Sequence, residues 1–183
     1  MIDKLIDFYK VHGKFDYVIC ESVINSVNCV EAEKAVIAML MLFSKPNGKI
    51  FFCGRCKEPL IQQMNQKRNT TDSMFSARFL DENGLTAIMV EGQWFYQKFH
   101  SKEDVQKIID DYGFDVFYSD RDSYWRLGVT KTRELTDEEY MAAIDYEFNM
   151  KLPNGKRYHR QNDIRKLFGY PTVEEESENE SQK

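Results

Sequence analysis

Phe15-Asp16-Tyr17-Val18-Ile19-Cys20 and Lys49-Ile50-Phe51-Phe52-Cys53, with the apolar run Val30 to Phe43 between them, decide the fold. Each short stretch is apolar and β-favouring. Each follows a breaker, Gly13 in one case and Pro46-Asn47-Gly48 in the other, so each reads as a buried strand. The residues from about 30 to 43 are apolar on most sides (Val30, Ala35, Val36, Ala38, Met39, Leu40, Leu42, Phe43), which predicts a well-buried helix. Asn28, with Glu31 three residues on, is its expected cap. Two buried strands joined by a helix make a βαβ unit, parallel and with a right-handed crossover.

Working outward, Ile2, Leu5, Ile6 and Tyr9 fall at helical spacing and predict a short amphipathic helix over 2–12. The polar, Gln/Asn-rich stretch 57–74 reads as a helix followed by a mobile loop. Residues 76–99 read as successive antiparallel strands, with Asp81-Glu82-Asn83-Gly84 as one turn. Ser101 and Asp104 open a helix whose stripe is Val105, Ile108, Ile109 and Tyr112, and Gly113 ends it. Phe114 to Tyr118 and Tyr124 to Val129 make a closing hairpin, and Thr136-Asp137-Glu138-Glu139 caps a helix to about 149. The expected organisation is an α/β domain over 1–150, a basic extension over 151–172 and a disordered acidic tail over 173–183, the tail with five glutamates and one lysine.

The totals narrow the classes. A chain of 183 residues, 42% hydrophobic and 14% aromatic, is long enough for one well-cored domain. A net charge of −5 gives no global reason to seek nucleic acid or a membrane, and leaves room for a local basic patch. The charged start Met1-Ile2-Asp3-Lys4 lacks a signal-peptide core, and the longest near-apolar run, Ala35 to Phe43, is too short to span a bilayer. The expectation is a soluble, cytoplasmic protein. Cys53-Gly54-Arg55-Cys56 has C-x-x-C spacing, suited to a redox pair or half a zinc site. No second ligand pair accompanies it, and cysteines in apolar strands ordinarily pack as small hydrophobes, so no metal is expected.

The order of these elements is similar to the later part of class I SAM-dependent methyltransferases: a βαβ unit, then a helix and a closing antiparallel strand pair. Phe15-Asp16-Tyr17-Val18 resembles the "FD-x-V" start of that family's fourth strand. Leu42 to Phe52 resembles its "KPGG" approach to the fifth, with Asn47 in place of the first glycine, and Gly113-Phe114-Asp115-Val116 resembles its "GF-x-V" start of the sixth. More narrowly, Glu21 to Val27, Gly54-Arg55, Gly92 to His100 and Glu147 to Tyr158 resemble methyltransferases of phage- and plasmid-type bacterial DNA modification genes. The likeness runs over most of 14–165. It implies a partial Rossmann-like sheet, with parallel strands at its start, antiparallel strands at its C-terminal side and the first half of the fold missing. The family's glycine-rich cofactor turn and the acidic residue that takes the ribose hydroxyls have no counterpart here, since the sequence holds no G-x-G. The resemblance therefore implies a fragment or split subunit, inactive alone, that uses S-adenosylmethionine only with a completing partner. The alternative is a degenerate, non-catalytic fold serving as a binding or regulatory module.

Ligands of open parallel sheets bind at the carboxyl ends of the strands, which selects Glu21, Ser22 and Asn25 after the first strand and Arg55 after the second. The resemblance places the methyl acceptor or the sulfonium at Glu21-Ser22, and Asn25 can hydrogen-bond a substrate amine; Ser22 and Asn25 can equally cap the next segment. Arg55 can pair with a phosphate or stand as an ordinary surface residue. Trp94 and Tyr96 can stack on a flipped base or fill the core. Arg157 and Arg160, in the basic stretch 151–166, can contact DNA phosphates or pair with the acidic tail. The 15–21 strand would lie on an exposed sheet edge, to be covered by the initial helix, an upstream SAM-binding polypeptide or self-association.

Overall fold

A computed structural model describes residues 2–67, 76–152 and 154–174. The elements run α1 (Ile2–His12), β1 (Phe15–Cys20), a short 3-10 helix (Ile24–Ser26), α2 (Val30–Phe43), β2 (Ser44–Cys56) and α3 (Lys57–Lys67). Then follow β3 (Ser76–Phe79), β4 (Leu85–Val90), β5 (Gln93–His100), α4 (Lys102–Tyr112), β6 (Phe114–Arg121), β7 (Tyr124–Lys131), α5 (Asp137–Phe148) and α6 (Gln161–Phe168). The mobile loop expected after α3 and the acidic tail beyond residue 174 lie outside the described residues.

The βαβ expectation holds: β1 and β2 are parallel, with Tyr17 to Cys20 opposite Lys49 to Phe52. Phe15 lies opposite Ser44, so the Pro46-Asn47-Gly48 turn bulges out of the ladder, with Asn47 at φ 59°. β7 runs antiparallel along the other flank of β2, and β6 pairs outside β7 to close the hairpin. The core order is thus β1-β2-β7-β6. Gly54 admits this pairing because the Trp125 indole fills the place of its Cβ, which would lie 2.6 Å from a ring carbon.

β3, β4 and β5 form the expected antiparallel meander. Its last strand then joins β2 in parallel, Arg55 opposite Phe99 and Cys56 opposite His100. β5 occupies the flank of β2 that β1 leaves after Cys20, because β7 already holds the other.

α2 is the packing centre. Ile37, Met41 and Leu42 are almost wholly buried against the sheet and α5. Burial of each contributes about 1.5–3 kcal/mol, together comparable with the net stability of a whole domain. Its N-cap is Cys29 and not Asn28: Cys29 is the last residue with extended backbone, and its Sγ accepts from the Ala32 N–H at 3.5 Å. At the other end the buried Lys131 ammonium donates to the carbonyls of Met41 (2.9 Å) and Ser44 (3.0 Å), and pairs with Glu134 at 2.6 Å. A cation on the orphan carbonyls of a helix C-terminus is doubly favourable. The Ser101 and Thr136 capping boxes form as their sequences imply, and Gly113 ends α4 in the left-handed region.

α6, within the basic stretch, adds Ile164 to the same core and buries Arg165 against Asp145. α1 contributes Ile2 and Ile6, and its Tyr9 packs between Phe43 and Phe168. Among the described residues no helix is long and apolar enough to cross a membrane.

Strand alternation puts Ile50, Phe52, Trp125, Leu127 and Val129 under the helices. The other face carries Tyr17 and Ile19, 62% and 72% exposed, with Phe117 and Tyr118 about half exposed. The bulge between Val116 and Tyr118 brings Phe117 edge-on to Phe51 at 5.5 Å.

One polar pair sits inside this core. His100 is fully buried, its Nε2 2.5 Å from the Glu33 carboxylate and its ring edge-on to Trp125 at 5.1 Å. Removing either partner strands the other's polar group in the interior. His100→Ala and Glu33→Ala should each lower the unfolding free energy by about 3–5 kcal/mol in urea titrations; losses under about 1 kcal/mol would show that the pair does not anchor α2 to β5.

Candidate functional site

The carboxyl ends of β1 and β2 form one corner. The chain leaves β1 through Glu21 and Ser22, both exposed, and turns sharply, because Ser22 takes φ 59°. A non-glycine residue in the left-handed region is uncommon, and such conformations gather at functional turns. The Ser22 N–H donates to Cys53 Sγ on β2 at 3.3 Å, and Ser26 Oγ donates to the Ser22 carbonyl at 3.0 Å. The Ser22 hydroxyl has no hydrogen-bond partner among the described residues. The turn therefore holds Glu21 and the hydroxyl outward.

Asn25 is placed differently. It is buried in the 3-10 helix, which packs on β2 and β5, and its Oδ1 has no hydrogen-bond partner among the described residues. An unsatisfied buried acceptor costs about 1–3 kcal/mol, so Asn25 is an acceptor in want of a donor at the base of the corner. His100 Nδ1 and the Trp125 Nε1–H donor are likewise buried without a hydrogen-bond partner among the described residues.

Arg55 leaves β2 at the same end and lays its guanidinium over the Tyr124 ring, 4.8 Å from the centroid. It lines a cleft of about 460 Å³ between α3 and the meander, floored by Leu60, Ile88 and Phe99. Trp94 and Tyr96 lie on one face of β5 and are 50% and 55% exposed, with Phe95 at 47% on the other face. They are not core residues. The two-residue turn Glu91-Gly92, both at positive φ, projects this hairpin from the sheet.

The structure thus gathers Glu21, Ser22, Asn25 and Arg55 at one sheet end, with Trp94 and Tyr96 on the meander that docks there. Arg157 and Arg160 are held elsewhere. Arg157 donates to the Asn149 carbonyl at 3.0 Å, and Arg160 pairs with Asp3 of α1 and, at 2.6 Å, with Asp163.

Glu147, near the end of α5, escapes sequence reasoning. Burial pushes its carboxyl above the ordinary value, and it lies within electrostatic reach of Cys20 at the end of β1. A carboxyl with a raised pKa beside a strand end is a candidate acid or base, and only its tertiary placement reveals it. Burial likewise pushes the Cys20 thiol up to about 11. Cys53 and Cys56 are buried and, three residues apart on one strand, project to opposite faces. Among the described residues no cluster of three or more His, Cys, Asp or Glu is placed to hold a metal ion.

The glycine at the end of a parallel strand is Gly54, and the Trp125 ring occupies the space its missing Cβ leaves.

No family model and no curated protein matches the chain. Solved structures do. The PH0226 protein from Pyrococcus horikoshii OT3 is 15% identical, with a TM-score of 0.50 over 65% of this chain and 52% of that one. A SAM-dependent methyltransferase from Methanosarcina mazei is 12% identical, with a TM-score of 0.46 over 66% and 61%. An S-adenosylmethionine-dependent methyltransferase from Clostridium acetobutylicum ATCC 824 is 13% identical, with a TM-score of 0.47 over 71% and 70%. The likeness is one of fold, a Rossmann-like α/β sheet, and the chain spans about half the length of the first of these proteins.

Replacing Ser22 by Gly relieves the left-handed strain and removes no hydrogen bond made by its side chain. Ser22→Gly should raise the unfolding free energy by up to about 1 kcal/mol in chemical denaturation; a loss of stability would show that the turn is held by its side chain.

Proposed function

We propose that this chain supplies the acceptor side of a SAM-dependent methyltransferase acting on DNA, with the cofactor held by a separate, upstream SAM-binding polypeptide. The observation that carries the reading is the position of β1. It is an edge strand, its outward face shows Tyr17 and Ile19, and the corner with Glu21, Ser22, Asn25 and Arg55 opens at its carboxyl end. An apolar edge strand in a parallel pair invites a further parallel strand. A completing α/β half would add that strand and bring the methyl donor to Glu21-Ser22. α1 does not cover the edge: its Phe8 stacks on Phe15 at the start of β1, and Tyr17 and Ile19 stay open.

In this reading the chain's own residues position the acceptor. The Glu21 carboxylate accepts a hydrogen bond from an exocyclic amine, which fixes the nitrogen and orients it. Trp94 and Tyr96 stack bases beside it, which needs no sequence readout. The contribution is orientation, which can remove several kcal/mol of barrier without any covalent role for the protein.

Transfer of tritiated methyl from SAM to duplex DNA should require both this chain and the SAM-binding polypeptide. Trp94→Ala combined with Tyr96→Ala should raise the KM for DNA by at least about thirtyfold, because each base–aromatic stack contributes about 1–3 kcal/mol, while the far-ultraviolet spectrum stays unchanged. Label appearing only on small molecules or protein, or a KM for DNA unmoved by the double substitution, would refute the DNA assignment. A pair that binds DNA and transfers nothing would leave a binding module.

A further inference from the structure

The cleft beside β2 has a composition that sets it apart. Proline and glutamine recur along α3 at Pro59, Gln62, Gln63 and Gln66, the spacing of one helix face, and that face looks across at Arg55 and Ser123. Among the described residues the cleft is lined by one cation, three carboxamides and a hydroxyl, and by no carboxylate. The groove between α2, α4 and α5 differs, since lysines and arginine there face Glu33, Asp104, Asp111 and Glu139.

Arg55 is also distinct among the described arginines. Arg78, Arg121, Arg126, Arg133, Arg157, Arg160 and Arg165 all donate to a carboxylate or a carbonyl. Arg55 makes no hydrogen bond or ion pair with another described residue, and its single fixed contact is the stack on Tyr124. Arg126 approaches the same ring at 5.8 Å, but is paired with Asp120 and Asp122. Stacking takes one face of the guanidinium and leaves its in-plane N–H fork free. A cation held this way, next to amide and hydroxyl donors, is arranged for a tetrahedral oxyanion.

We propose that the Arg55 cleft binds a phosphoryl group, with Arg55 as the bidentate donor and Gln62, Gln63, Gln66 and Ser123 donating around it. The phosphoryl group comes either from a nucleotide or from the backbone of DNA. The proposal deepens the DNA reading above and rests on it for the polymer alone.

The Arg55 Nε–Hε resonance of the full chain reports binding without any methyl transfer. It is followed in titrations with inorganic phosphate, thymidine 5′-monophosphate and a short oligothymidylate lacking terminal phosphates, at constant ionic strength in chloride. Inorganic phosphate should bind saturably in the millimolar range. Dissociation constants for the variants come from calorimetry. Arg55→Gln should weaken binding about tenfold or more, and Arg55→Lys, which keeps the charge and loses the fork, should weaken it by less. Gln62→Ala with Gln66→Ala should weaken it severalfold on a folded chain, and Lys107→Gln, in the other groove, should leave it unchanged. Tighter binding of the monophosphate identifies a nucleotide as the source, and equal or tighter binding of the oligonucleotide identifies the DNA backbone; either supports the site. An Arg55 resonance that chloride moves as far as phosphate does, or equal affinity in wild type, Arg55→Gln and Arg55→Lys, overturns it. Phosphate binding without methyl transfer leaves this site and removes the methyltransferase reading; methyl transfer with a phosphate-blind Arg55 does the reverse.

Discussion

The structure depends on how β2 shares its two flanks. One flank pairs continuously with β7 from Ile50 to Arg55. The other is divided: β1 holds it as far as Phe52, and β5 takes it at Arg55 and Cys56. That handover leaves a gap of two residues, and the 3-10 helix with Asn25 sits over it, packed on both β2 and β5. Because the strands are hydrogen-bonded ladders, the gap cannot close without breaking one of the three pairings. The corner that gathers Glu21, Ser22, Asn25 and Arg55 is a geometric result of that division.

The second constraint is one-sided burial. α2 and α4 cover one face of the sheet, α5 packs on α2, and Ile50, Phe52, Trp125 and Val129 are drawn into the core. Tyr17, Ile19, Phe117 and Tyr118 remain substantially exposed on the opposite face, and Lys49 approaches the Tyr17 and Phe117 rings at 6.0 and 5.4 Å. A contiguous aromatic face beside an open strand edge is unusual for a surface in contact with water alone. A partner that adds a strand to β1 and lays helices on this face would satisfy both the edge and the rings. Such an arrangement brings the partner's strand ends alongside Glu21-Ser22, where the acceptor would sit.

Much of the local structure was legible in the sequence because it is encoded locally. The βαβ unit follows from two apolar strands and an apolar helix, and the capping boxes at Ser101 and Thr136 follow from residues three apart. The tertiary pairings were not legible. His100 shows nothing of its pairing with Glu33, 67 residues away, and Lys131 shows nothing of the α2 carbonyls it caps. Asn28 fits a cap pattern, but the backbone turns one residue later and the role falls to Cys29. Trp94 and Tyr96 alternate as core residues do, and only the outward projection of the hairpin shows that they are exposed. The strand-end rule selects Glu21, Ser22, Asn25 and Arg55, and these residues stand together at one end of the sheet. The burial of Asn25, the raised carboxyl of Glu147 and the glutamine face of α3 needed coordinates.

We propose that this chain holds an acceptor and a second polypeptide holds the cofactor. Calorimetric titration of SAM tests it most directly, first into residues 1–183 alone and then into the same chain mixed with the upstream SAM-binding polypeptide. No measurable heat of binding is expected in the first titration and saturable binding in the second. Saturable micromolar binding by residues 1–183 alone would contradict it.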